Sequence, residues 1–154
     1  LKINKNIIKR METEFSLVFT GLSRSASKIL SEKSDSLETK FNRLRLIRNQ
    51  AFSSINMLEN GELEELGRLL AKTWELKRQL SQSVSNDELD IIYNSLLDLG
   101  ANGAKLLGAG GGGFFLVHGS PGFREKLLLN FGKEYKILPL KLDSYGSQII
   151  YNAI

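Results

Sequence analysis

The chain has 154 residues, 42% apolar and 25% charged, which suits one globular domain with its own core and argues against disorder. It contains no cysteine and a single histidine, His118, which excludes disulfides, thiolate metal sites, cysteine nucleophiles and multi-histidine metal sites. The formal net charge of +4, from 21 basic and 17 acidic residues, is milder than that of a dedicated nucleic-acid binder and suits a protein that handles anionic substrates.

No apolar run approaches the ~20 residues needed to cross a bilayer, and the basic first ten residues lack the apolar core of a secretory signal. With the absence of cysteine, this predicts a cytoplasmic protein with no membrane and no nucleic-acid partner. The first residue, Leu1, is not methionine, and the chain reads as a piece of something longer.

Residues 15–20, aromatic and β-branched, predict a strand closed by Gly21. Ser23 is placed to cap a short helix reaching about Lys33. Leu37, Phe41, Leu44, Ala51, Ile55 and Leu58 recur mostly at three- and four-residue steps and predict an amphipathic helix over 36–58. Asp35 and Glu38 stand at capping-box spacing before it. Asn60-Gly61 separates that helix from a second over 62–80, with Leu63, Leu66, Leu70 and Trp74 in one stripe. Ser85 and Glu88 predict another capping box, opening a helix that runs to Leu99 and stops at Gly100. Ser120-Pro121 reads as an N-cap followed by proline at the first helical position, opening a helix to about Phe131 that Gly132 ends. Two late strands are expected, near 136–142 and 147–153. Helices segregated from a mainly antiparallel sheet make an α+β plan.

The segment from Gly103 to Val117 carries the most information. Five of the six residues from Gly108 to Gly113 are glycine, the costliest residue to order on folding. Gly108, Gly110 and Gly113 formally match G-x-G-x-x-G, but a dinucleotide fingerprint needs a helix directly after the glycines, and here an apolar strand, Phe114 to Val117, follows. The Walker pattern is absent, because Lys105 precedes the run. Two readings remain open: a hairpin bend in which the glycines serve geometry, or a site loop whose bare amides face an anion.

The stretch 103–113, Gly-Ala-Lys-Leu-Leu-Gly-Ala-Gly-Gly-Gly-Gly, resembles the third signature motif of the GHMP kinases, which include galactokinase, homoserine kinase and mevalonate kinase. The resemblance covers nearly the whole chain as that family's C-terminal domain. Residues 19–27 resemble the Thr-Gly-x-x-Arg-x-Ala segment of the D-glycero-D-manno-heptose 7-phosphate kinase branch, and residues 74–81 its Trp-x-x-Lys-Arg-x-Leu-Ser helix.

The resemblance implies a ferredoxin-like α+β domain, a mainly antiparallel four-stranded sheet packed with several helices. It implies an ATP- and Mg2+-dependent kinase for a sugar or heptose phosphate, with its own N-terminal kinase domain as partner. That missing domain, about 170–200 residues by common domain sizes, would hold most of the ATP, the Mg2+ and the catalytic acidic residue. No catalytic residue is therefore assigned here, and Asp90, Asp98 and Asp143 read as ordinary solvated positions. The isolated chain is expected to be inactive and to keep little nucleotide affinity.

For the active-site loop the expectation is Gly108, Ala109, Gly110, Gly111 and Gly112, lining the cleft between domains. Lys105 either faces phosphates or is a surface strand lysine. Arg24, beside the helix start expected at Ser23, is a candidate for the sugar phosphate. Lys77 and Arg78 are candidate substrate contacts, against a solvated basic helix face as the default. The Arg43 to Arg48 run reads as a solvated face, Trp74 as core and His118 as a strand-end residue. Other readings stay open: a kinase of another GHMP substrate of the mevalonate, homoserine or galactose type; a stand-alone ligand- or RNA-binding module, for which Phe114-Phe115 is the only candidate aromatic pair; and a regulatory or oligomerising remnant.

Overall fold

A computed structural model of the chain describes residues 3–22, 37–143 and 145–150. In chain order the elements are α1 (Lys5–Glu14), β1 (Phe15–Phe19), α2 (Leu37–Asn60), α3 (Leu63–Arg78), α4 (Asp87–Asp98), β2 (Gly103–Leu106), β3 (Phe114–His118), α5 (Phe123–Phe131) and β4 (Ile137–Pro139). The four strands form one antiparallel sheet in the order β2-β3-β1-β4. This is the expected α+β architecture.

Side-chain alternation gives the sheet two different faces. On one, Val18, Ala104, Leu106, Phe115 and Val117 are buried beneath Trp74 of α3, Leu89, Ile92, Tyr93 and Leu96 of α4, and Phe123 and Leu127 of α5. Trp74 meets Phe115 edge-on, with ring centroids 5.7 Å apart, the arrangement that aligns ring edge with ring face. On the other face Phe15 packs with Leu63 and Leu66 of α3, supported by Ile7 and Met11 of α1 and Met57 and Leu58 of α2. Further along that face, Leu17, Phe19, Lys105, Phe114 and Leu116 are only half-buried.

The approach of α3 to the edge strand β2 depends on two glycines. A Cβ on Gly103 would lie 2.0 Å from the carbonyl oxygen of Gly67, and one on Gly67 would lie 2.6 Å from Nδ1 of His118. Bare backbone at both positions lets the helix sit directly on the strand, which fixes the C-terminal half of α3 beside the glycine bend.

Several local expectations are corrected. The N-cap of α4 is Asn86, whose side chain accepts from Leu89 N–H at 2.9 Å; the Ser85 hydroxyl instead donates to Asp90 at 2.5 Å. The cap of α5 is Gly122 rather than Ser120, and Pro121 lies in the preceding turn, where Phe123 N–H bonds the Ser120 carbonyl. The strand expected over 136–142 is confined to Ile137–Pro139, since Pro139 has no N–H to continue the ladder. Residues 147–150 form no strand, and Ile149 and Ile150 are 87% and 95% exposed. Their apolar pattern meets no sheet edge among the described residues. Helix α1 was not anticipated; Asn4 caps it by accepting from Asn6 N–H at 2.8 Å. The Ser23 helix and the Asp35 cap lie outside the described residues.

Candidate functional site

The chain leaves β2 at Leu106 and enters β3 at Phe114, and residues 107–113 form the bend between them. Gly108, Gly110, Gly111, Gly112 and Gly113 all have positive φ, from 71° to 155°, the region that L side chains avoid. A Cβ on Gly110 would lie 2.9 Å from the Val84 backbone, and one on Gly112 would lie 2.5 Å from the Leu22 carbonyl oxygen. The glycines are thus required by geometry, whatever else they do.

Hydrogen bonds divide the bend into an anchored part and an open part. Gly111 N–H donates to Val84 O and Gly113 N–H to Leu22 O, both at 2.9 Å. Thr20 locks the far side, its N–H and hydroxyl both reaching Gly113 O, at 2.9 and 3.0 Å. The amides of Gly108, Ala109, Gly110 and Gly112 donate to no described residue. Gly108 is exposed, Ala109 and Gly112 are half-buried, and Gly110 and Gly111 are buried. Gly111 therefore anchors the bend, while Gly108 and Ala109 stand at its open end.

Lys77 holds that open end. Its Nζ lies 3.1 Å from Leu106 O and 2.5 Å from Gly108 O, and 5.8 Å from the centre of the Trp74 ring. Burial, with a smaller contribution from the charge of Lys105, lowers its pKa to about 8. The solvated basic face expected here is corrected: Lys77 is half-buried against backbone carbonyls. In a planar trans peptide the N–H points opposite the C=O. Drawing the Gly108 carbonyl toward α3 therefore turns the Ala109 N–H away from it.

Arg78 faces another way. It bonds Asp90 at 2.8 Å and Glu75 at 3.2 Å, tying α3 to α4. Asp90 also accepts from Ser85, so it is a brace between helices rather than the solvated position expected.

Lys105 projects from β2, opposite Leu116, on the half-covered face of the sheet. It is half-buried, and its ammonium meets no hydrogen-bonding or ionic partner among the described residues. Burial lowers its pKa. It faces a cavity of about 230 Å³ between α2 and α3, walled by Ile47, Ala51, Leu66, Leu69 and Leu70 and bearing Gln50, Ser54 and Thr73. Lys105 is thus half-buried at the cavity wall rather than fully exposed. Arg24 lies outside the described residues.

His118 is more than a strand end. It is 1% exposed, and its Nε2 lies 3.3 Å from Oε2 of Glu14, which also receives Arg10 at 2.8 and 3.2 Å. Burial lowers its pKa, opposed by the Glu14 carboxylate. Phe115 is wholly buried and Phe114 packs on Phe19 at 5.0 Å, so these two rings offer no paired stacking platform. The described residues contain no group of three or more His, Asp or Glu side chains arranged to hold a metal ion. No described helix is long and apolar enough to cross a membrane.

Sequence reasoning missed the Lys77 clamp, the Arg10–Glu14–His118 chain and the Gln50–Thr73 pair. Each joins residues from separate elements, which no local pattern reveals.

The sequence profile of the family described as "GHMP kinases C terminal" matches residues 54–136. A D-glycero-alpha-D-manno-heptose 7-phosphate kinase from Campylobacter jejuni is 32% identical over 136 residues, 87% of this chain and 40% of that protein. A bifunctional fucokinase/GDP-fucose pyrophosphorylase from Arabidopsis thaliana is 27% identical over 95% of this chain and 14% of its own length. The crystal structure of the Methanococcus jannaschii mevalonate kinase superposes with a TM-score of 0.65 at 24% identity, over 90% of this chain and 42% of that one, and so shares the fold. The chain thus spans less than half the length of each of these proteins.

Proposed function

The chain belongs to the GHMP kinases through the C-terminal part of their fold, and from that premise we propose that it is the C-terminal domain of an ATP-dependent sugar kinase whose substrate is a sugar phosphate of the heptose type. The observation that carries this reading is the glycine bend. It keeps the amides of Gly108 and Ala109 without a described partner at an open end, which Lys77 pins through the Gly108 carbonyl.

Phosphoryl transfer needs fixed donors where charge develops more than it needs covalent chemistry. Donors held by a pinned backbone undergo little reorganisation during the reaction. The bend fits phosphate oxygens: its open groups are N–H donors, and no carboxylate bonds to it among the described residues. Gly108 and Ala109 face the nucleotide phosphates, with Gly110 and Gly112 shaping the approach and Gly111 holding the base. Lys77 keeps the bend in register, and Arg78 braces α3 against α4. Arg24 is the candidate contact to the sugar phosphate. ATP and Mg2+ are held mainly by an N-terminal kinase domain, which supplies the catalytic acidic residue. That parent acts in the cytoplasm.

The test is phosphotransfer from ATP, with Mg2+, by a protein carrying both halves, on a panel of sugar phosphates and their unphosphorylated counterparts. Turnover of a heptose or hexose phosphate by the parent, with none from the 154-residue chain, is the expected result. A parent inert toward every sugar in the panel would overturn the assignment.

A further inference from the structure

We propose that the cavity between α2 and α3 is an anion site, in which Lys105 and Gln50 receive the phosphate already present on the substrate, at a place distinct from the glycine bend. The proposal rests on the sugar-phosphate reading above and specifies where the substrate's phosphate sits.

The first observation is the cavity's set of polar groups. The Thr73 hydroxyl lies 2.7 Å from Gln50 Oε1 and 2.8 Å from Leu69 O. The Ser54 hydroxyl donates to Ala51 O at 2.7 Å. When the single Thr73 hydroxyl proton goes to Gln50 Oε1, the Gln50 –NH2 is left as a donor. Lys105 Nζ adds up to three more. The remaining wall is Ile47, Ala51, Leu66, Leu69 and Leu70, with no carboxylate. A half-dry space whose open polar groups are an ammonium and an amide –NH2 is complementary to an anion.

The second observation is the absence of compensation. Charged side chains are seldom drawn into low dielectric without a partner. Lys105 is, and it also lies near enough to Lys77 for its charge to depress that neighbour's pKa. No carboxylate offsets the pair: Arg78, one residue further along α3, takes both Glu75 and Asp90. Two half-buried ammonium groups held in proximity are an electrostatic cost to the free domain that a bound anion relieves.

The third is spacing. Lys105 is the penultimate residue of β2, which ends at Leu106 where the bend begins. That suits a phosphorylated sugar lying along β2, its phosphate at Lys105 and its acceptor hydroxyl near the bend. The apolar wall would receive the C–H face of the carbon chain.

The experiment uses the 154-residue chain, titrated by amide NMR with mannose 6-phosphate, mannose and inorganic phosphate, in wild type, K105M and K105R. Mannose 6-phosphate should perturb Gln50, Thr73 and Lys105 and bind more tightly than inorganic phosphate, and mannose should leave them unmoved. K105M should weaken the binding roughly 10- to 100-fold while raising the thermal midpoint, because it replaces a half-buried charge with an apolar side chain against an apolar wall. K105R should retain binding. A merely structural lysine would give the opposite sign in stability. Sugar phosphate binding no tighter than mannose, binding unaffected by K105M, or a lowered midpoint in K105M would each overturn the proposal. Phosphotransfer by the longer parent bears separately on the kinase reading. An inert parent with intact Lys105-dependent binding would sink that reading and leave the anion site standing.

Discussion

Two alanine substitutions separate the geometric demands within the bend. At Gly108, φ is +71° and a Cβ would meet nothing within 4 Å. G108A should therefore cost only about 1 kcal/mol, the strain of a left-handed alanine. At Gly112, φ is +155° and the Cβ would press on the Leu22 backbone, so G112A should cost about 3 kcal/mol, strain and clash together. Urea denaturation of the two variants measures the difference, and equal losses would contradict the close approach of Gly112 to Leu22. His118 supplies a pH-dependent counterpart. Its folded pKa lies below 6.5 because burial disfavours the imidazolium more than Glu14 favours it. The unfolded chain then binds more protons, so the stabilisation is complete above pH 6.5 and is lost as pH falls through the lowered folded value. Because His118 is the only histidine, H118N should flatten the decline between pH 7 and pH 5, and an unchanged slope would count against the assignment. The sequence shows why glycine clusters here but not which amides remain open. Val84 and Leu22, which take Gly111 and Gly113, lie far from the bend in the chain.

Among the elements, the contact of α3 with β2 organises the site, because one crossing sets Trp74 on one side of the sheet and Lys77 at the bend. G103A, whose methyl would collide with the Gly67 carbonyl, should cost about 3 kcal/mol and should weaken amide-exchange protection in α3 and β2 before it affects α5. A uniform loss across the domain would instead show that the crossing is not a separable unit. The sequence displayed α3 plainly, since Leu63, Leu66 and Trp74 fall on one face and all are buried. It displayed α4 with the cap displaced by one residue. Ser85 and Asn86 are adjacent and chemically alike, and only the fold decides which reaches the Leu89 amide and which reaches Asp90. Helix α1 was obscured by its basic composition, which placed few apolar residues where periodicity could be read. Residues 147–150 show the converse: the adjacent β-branched Ile149 and Ile150 state a preference, and a ladder still requires a neighbour.

At the scale of the whole molecule, the longest of the described helices is the least buried. No residue of α2 is fully buried, although its sequence carries an amphipathic pattern. Phe41 and Phe52 are 66% and 63% exposed. Replacing both with glutamine should leave the unfolding free energy within about 0.5 kcal/mol of wild type, which chemical denaturation would verify; a loss beyond 2 kcal/mol would mean that the helix packs more closely than described. The fold class was legible because element order and the glycine run are local properties of the chain. The cavity with Lys105 was not, because its walls come from α2, α3 and β2 together.

The outer strand β4 has three residues, ends in proline and is followed by Lys141. A sheet margin so curtailed gives a foreign chain few main-chain groups to grasp, and the lysine discourages stacking against it. The fold thereby carries its own guard against fibril-like growth from that side.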